Sequence, residues 1–211
     1  MNLQDISFNE IKYFLPEHNG KQGVPIRGVM AEAGKRILIN FILENISSLA
    51  YYGVGATEPD IYLLGDVLPK CKIRSDSSDN NLVCFELSTN KQVVFCGGSA
   101  PPAQQGQKPQ ALITAINFSK DLKPIDEIIL KDGDPSVVTS IKRASNEDIL
   151  FVGGIKHVYV LEWKQNKFNL LMMALDIHSG YIFDMCIFGK RLYSVGKKDR
   201  FISILDFSVE L

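Results

Sequence analysis

The sequence predicts an all-β chain assembled from repeated antiparallel meanders, and three observations carry that reading. Short runs dominated by Val, Ile, Tyr and Phe are interrupted by turn signals too often for a helix to reach a useful length. The stretch 182–207 (IFDMCIFGKRLYSVGKKDRFISILDF) holds three such runs, 182–187, 191–195 and 201–207, joined by Gly189-Lys190 and by Gly196-Lys197-Lys198-Asp199. The same strand-turn-strand pattern recurs three times upstream, so the chain reads as about four copies of one unit.

In the first copy the candidate strands are 36–43 (RILINFIL), 49–53 (LAYYG) and 61–64 (IYLL), with Gly55, Pro59 and Asp60 in the turn between the last two. A further candidate, 6–15, lies before the loop 18–23 and has no adjacent partner. The second copy has 82–87, 93–96 and 111–118, followed by an outer strand at 125–130. The third has 137–141, 149–152 and 157–163, with an outer strand at 168–175. The fourth is the stretch 182–207 itself. After Phe207 only four residues remain, so this copy has three strands and no outer one.

Glycines mark the period. Gly53, Gly97, Gly153 and Gly196, each read as following a second strand, are 44, 56 and 43 residues apart. The long interval contains 99–110 (SAPPAQQGQKPQ), a Pro/Gln/Gly stretch read as an insertion in a turn, with a partner-binding loop as the alternative. In 157–163 (HVYVLEW) and 201–207 (FISILDF) both alternating faces are largely apolar, so both must be covered. Blades packed side by side around an axis do this, which makes the expected fold a β-propeller of about four blades. The expected organisation is an N-terminal strand and entry loop at 1–23, then blades at about 24–68, 69–130, 131–176 and 177–211. An open arc is expected rather than a closed ring, because such rings usually have more blades. The arc would expose apolar faces at both ends and dimerise or aggregate through them.

The fourth copy resembles a WD40 repeat in His178, in Ser194-Val195-Gly196 and in the run Asp199 to Asp206. The resemblance implies a structural polar network of His178, Ser194 and Asp199, with Leu205-Asp206 in the place of the usual Trp-Asp pair. Leu205 has no indole N–H, so the hydrogen-bond chain of that family is expected to be shortened here. The spacing of roughly 44, once the insertion is set aside, also matches WD40 blades. WD40-like domains are in general non-catalytic scaffolds that grip a protein or peptide, and that is the function the resemblance implies.

The remaining chemistry is sparse. Taken as a catalytic triad, His178, Ser194 and Asp199 would need an exposed serine, and a buried network that fixes a turn is the plainer reading. Asp184, Glu86 and Glu44 are scattered carboxylates with no supporting motif, although a channel-mouth carboxylate or histidine site would be the mark of a propeller enzyme. Gly97-Gly98 and Gly153-Gly154 lack the Lys-Ser/Thr and helix of a phosphate loop. No catalytic residue, cofactor or metal ligand is therefore assigned. Lys190, Arg191, Lys197, Lys198 and Arg200 lie on two turns of one copy and are the candidate partner contacts.

Charge and cysteine usage narrow the setting. A net charge of −1 gives no field for wholesale binding to nucleic acid or to an anionic membrane. Cys71, Cys84, Cys96 and Cys186 form no C-x-x-C pair, and three lie in apolar strand runs. All four are expected to be free, with Cys84, Cys96 and Cys186 buried in strand runs, in an intracellular, cytoplasmic chain. The start MNLQDISFNE has no signal pattern, and no apolar run reaches a membrane span. A fragment of a larger propeller, with no independent role, is the alternative to a self-sufficient scaffold.

Overall fold

The alternation of apolar side chains is realised as 17 strands and one helical turn in the computed structural model, which describes residues 15, 17–31, 36–44, 46–54, 56, 58–68, 84–100, 109–119, 121–131, 137–144 and 148–207. A two-residue hairpin, β1 (Glu17–His18) and β2 (Lys21–Gln22), turns through Asn19 and Gly20 at φ +51° and +73°. Four antiparallel sheets follow in chain order. The first is β3 (Val24–Ala31), β4 (Arg36–Leu43), β5 (Ile46–Tyr52) and β6 (Asp60–Leu63), followed by the helical turn α1 (Leu64–Val67). The second is β7 (Cys84–Leu87), β8 (Val93–Ala100), β9 (Gln110–Asn117) and β10 (Pro124–Leu130). The third is β11 (Ser140–Arg143), β12 (Ile149–Gly153), β13 (Val158–Lys164) and β14 (Lys167–Ala174). Among the described residues the fourth has three strands, β15 (Ile182–Phe188), β16 (Arg191–Gly196) and β17 (Ile202–Asp206).

In every sheet spatial order equals chain order, so each is a meander. Strands β3, β7, β11 and β15 run along the inside, and the contacts between sheets pass from β7 to β3, from β7 to β11 and from β11 to β15. This is an arc of four propeller-like blades. Its core is three slabs between blades. Leu38, Leu49 and Tyr51 of blade 1 pack with Val94, Leu112, Ile116 and Phe118 of blade 2, and α1 adds Leu64 and Val67 to that slab. Phe95 and Ile113 of blade 2 meet Leu150, Tyr159 and Trp163 of blade 3, with Phe95 edge-on to Trp163 at 5.3 Å. Phe151 and Val158 of blade 3 meet Ile182, Met185 and Leu192 of blade 4. Polar ties stitch the same seams. Arg36 donates to the carbonyls of Phe118 and Lys91, and Arg143 to that of Leu87.

Several expectations need correction. The inner strand of blade 1 is Val24–Ala31, hidden in the sequence because Pro25 and Gly28 break its apolar run. A bulge at Pro25/Arg27 accommodates the proline, and a Cβ at Gly28 would meet the Leu38 carbonyl oxygen at 2.8 Å. Gly53 consequently follows the third strand of its blade, whereas Gly97, Gly153 and Gly196 lie on second strands, so the interval of 44 is not a true repeat. Gly97 and Gly153 are small because the next blade enters over them. A Cβ there would meet Val138 Cγ1 at 2.4 Å and Ile182 Cγ2 at 3.0 Å respectively. The stretch 99–110 spans the β8–β9 turn, with Ala100 paired to Gln110. Residues 6–14 lie outside the described residues.

Cys84 and Cys96 are buried and free, but Cys186 is free and exposed, against the expectation of a buried thiol. Alternation along β15 turns Met185 and Ile187 into the seam and Cys186 toward the side of blade 4 that carries no further blade. The two ends of the arc also differ. At blade 1 the centre of the outer face is buried, with Ile37, Phe41, Ala50 and Tyr52 in one cluster against which Leu15 packs. At blade 4 the corresponding face is bare. Both ends nevertheless expose apolar side chains, Met30, Ile46, Ile61 and Leu63 around that cluster on blade 1 and Phe188, Ile202 and Ile204 on blade 4.

Candidate functional site

Two polar assemblies stand out, one sealed inside blade 4 and one open on the axis. The sealed one begins at His178, which precedes β15. Its Nδ1 lies 2.6 Å from Asp199 Oδ2 in the β16–β17 turn, and its Nε2 lies 2.8 Å from Ser194 Oγ on β16. A carboxylate only accepts, so Nδ1 carries the proton facing Asp199. With the ring neutral, Nε2 then accepts from the Ser194 hydroxyl. Asp199 also accepts from the Ser179 backbone N–H and hydroxyl, and the Phe201 ring stacks on His178. The Ser179 hydroxyl first, then its backbone N–H and His178, hold the Asp199 carboxyl below the ordinary aspartate range against the opposing effect of burial. Gly196 makes room, since a Cβ there would reach Asp199 Oδ2 and His178 Nδ1.

This chain has the residue types and connectivity of a nucleophilic triad. Its exposure decides against that chemistry, since His178 is 3% and Ser194 1% exposed and no acyl group could reach the hydroxyl. What it does is pin the segment entering β15 to the β16–β17 turn.

The open assembly is a cleft of about 280 Å³ lined by Arg27 and Gly28 of β3, Cys84 and Phe85 of β7, Ser140 to Lys142 of β11, and Phe183 and Asp184 of β15. All four inner strands contribute, so the cleft exists only when the blades are assembled. A bulge between Ile182 and Asp184 adds the residue that brings Phe183 and Asp184 to the cleft together. Asp184 Oδ1 accepts from Ser140 Oγ at 3.2 Å, faces Lys142 Nζ at 3.4 Å and caps its own following N–H. Arg27 reaches across from blade 1 to donate to the Thr139 carbonyl at 3.2 Å. The lining thus holds two cations and one carboxylate beside two phenylalanine rings.

Of the scattered carboxylates only Asp184 reaches this cleft. Glu44 sits in the β4–β5 turn, 2.9 Å from His18, and Glu86 accepts from the Leu87 N–H. Among the described residues no three His, Cys, Asp or Glu side chains converge as metal ligands would, and no helix is long and apolar enough to cross a membrane. The five basic residues do not form one patch. Lys190 lies in the turn before β16 and Arg191 begins that strand, while Lys197, Lys198 and Arg200 follow its end, about 17 Å away at ~3.3 Å per residue. The antiparallel turn-to-turn run of a hairpin strand separates them, and Arg191 is further tied to Asp206 at 2.7 Å. Arg27 and Lys142 were not legible as site residues. Each is a single cation in an ordinary strand, and only blade packing sets them around one cleft.

No family model and no curated protein matches the chain. Among solved structures it is similar to a crystal structure of a nidogen/laminin complex, at 13% identity and a TM-score of 0.43 over 91% of this chain and 84% of that one. It is also similar to a functionally unknown protein from Desulfotomaculum acetoxidans, at 10% identity and a TM-score of 0.42 over 90% of this chain and 67% of that one.

Proposed function

We propose that this chain is a non-catalytic interaction scaffold of the WD40-like class, which takes a side chain of a protein or peptide partner into the axial cleft. The observation that carries the reading is the composition of the cleft wall, Arg27, Lys142 and Asp184 with Phe85 and Phe183, drawn from all four inner strands. Two cations against one carboxylate favour an acidic side chain, and the rings give it an apolar flank. The WD40-like assignment is supported by the hydrogen-bonded run of Ser194, His178 and Asp199. The free thiols of Cys84, Cys96 and Cys186 suit a reducing, intracellular setting, which belongs to the same proposal.

The test is a selection of peptides from a random display library on the wild-type chain, followed by affinity measurement on an Arg27→Gln/Lys142→Gln variant whose circular dichroism is unchanged. Acidic peptides that lose about tenfold or more in affinity on the variant support the cleft as the grip. Binders indifferent to both substitutions would move the interaction elsewhere and refute it.

A further inference from the structure

The three charged side chains of the axial cleft are not equivalent. Asp184 stands on the bulge of β15, and among the described residues every contact of its carboxylate falls on one oxygen. Oδ1 accepts from Ser140 Oγ at 3.2 Å and from the Met185 N–H at 2.8 Å, and it lies 3.4 Å from Lys142 Nζ. The side chains of Lys142 and Asp184 are 35% and 58% exposed, so an incoming group can reach both. Arg27 stands apart from this pair. Its Nη1 donates to the Thr139 carbonyl, a neutral acceptor, and among the described residues no carboxylate is paired with it.

Within the reading of the cleft as a grip for an acidic side chain, on which this inference rests, we propose that Asp184 sets the specificity of the grip as a built-in competitor. It keeps the charge of Lys142 neutralised, so a partner's carboxylate is drawn to Arg27, whose charge is not. Lys142 then contributes little, because the partner must share it with Asp184 and is repelled by that carboxylate across a short distance. Asp184 cannot relieve the repulsion by turning away. Rotation about its side chain would give up the bonds of Oδ1 to Ser140, which is itself buried, and to the Met185 N–H. The fixed position of Asp184 thus makes Arg27 the anchor and Lys142 a reserve cation that only removal of the Asp184 charge releases.

Titration of the full chain, followed by the NMR shifts of its backbone amides, tests this division of roles. The probe is the capped dipeptide acetyl-Phe-Glu-amide, carried into the millimolar range, with acetyl-Phe-Gln-amide as its uncharged control. Asp184→Asn keeps an oxygen for Ser140 and for the Met185 N–H while removing the charge. It should tighten the Glu probe about threefold or more and leave the Gln probe unchanged. Asp184→Ser, which also removes the charge, should give the same gain, so the result does not hang on one variant. Lys142→Gln should weaken the Glu probe by less than about twofold in the wild-type chain, yet abolish the gain in the Asp184→Asn background. Arg27→Gln should weaken it in both backgrounds. A Glu probe that needs Arg27 but gains nothing from either Asp184 variant overturns the inference and leaves the grip standing. Equal tightening of the Gln probe overturns it too, since Asp184 would then act through structure and not charge. A Glu probe that shifts no amide of the cleft, or is indifferent to Arg27→Gln, refutes the grip and this inference with it.

Discussion

Replacing Ser194 by alanine removes one oxygen and leaves every packing contact of β16 in place. Ser194 Oγ is 2.8 Å from His178 Nε2, and both residues are shut away from water. Because Asp199 fixes the proton on Nδ1, the change strands a buried acceptor that nothing else reaches. A buried polar group left without its partner costs about 1–3 kcal/mol. For a chain of this size, each kcal/mol lowers the melting temperature by about 2–4 °C, so Ser194→Ala should lower it by about 2–12 °C. The location of the loss is as diagnostic as its size. Blades feel one another mainly through their neighbours, so hydrogen exchange should quicken in residues 177–207 and leave blade 1 unchanged. A cycle with His178→Ala completes the test, since once the imidazole is gone the serine substitution should become nearly silent. A melting shift below about 1 °C, or exchange quickened equally in blades 1 and 4, would refute the network as the pin of blade 4.

Two further outcomes follow from the same structure. Asp199 is held below its ordinary value of 3.8, chiefly by Ser179. A carboxyl with a depressed folded value stabilises fully above the ordinary range and loses that contribution as pH falls through the folded value. Acid titration followed by hydrogen exchange should therefore open blade 4 first below about pH 3.8, and Asp199→Asn should erase that acid step; an unchanged acid profile would count against it. At the blade 2–blade 3 seam, Gly97→Ala drives a methyl to 2.4 Å from Val138 Cγ1 and 2.6 Å from Cys84 Sγ. Overpacking of this kind costs about 1–3 kcal/mol in denaturant unfolding, and a neutral effect would mean that the entry of blade 3 over Gly97 is looser than described.

Local patterning along the chain determined a good deal. Runs such as 149–152 and 157–163, apolar on both faces and bounded by turn residues, identify strands wedged between other sheets. Their meander order follows from the short turns between them. The trio His178, Ser194 and Asp199 was also legible, since a histidine before a strand, a serine on the next and an aspartate in the following turn lie close in sequence. Tertiary structure alone decided the rest. Val24–Ala31 becomes a strand because β4 is there to pair with it, which local propensity at Pro25 and Gly28 could not announce. Arg27, Lys142 and Asp184, far apart in the chain, share one cleft only through the stacking of blades. Alternation of period two makes Cys186 a facing residue, but whether that face is core or surface depends on what packs against it. The same holds for the two ends of the arc. Apolar composition demanded a cover for each, yet Leu15 packs only on the centre of the blade 1 face, while Met30, Ile61 and Leu63 beside it stay exposed, as Ile202 and Ile204 do on blade 4. Burial is a property of neighbours brought from a distance, and no single stretch of sequence contains it.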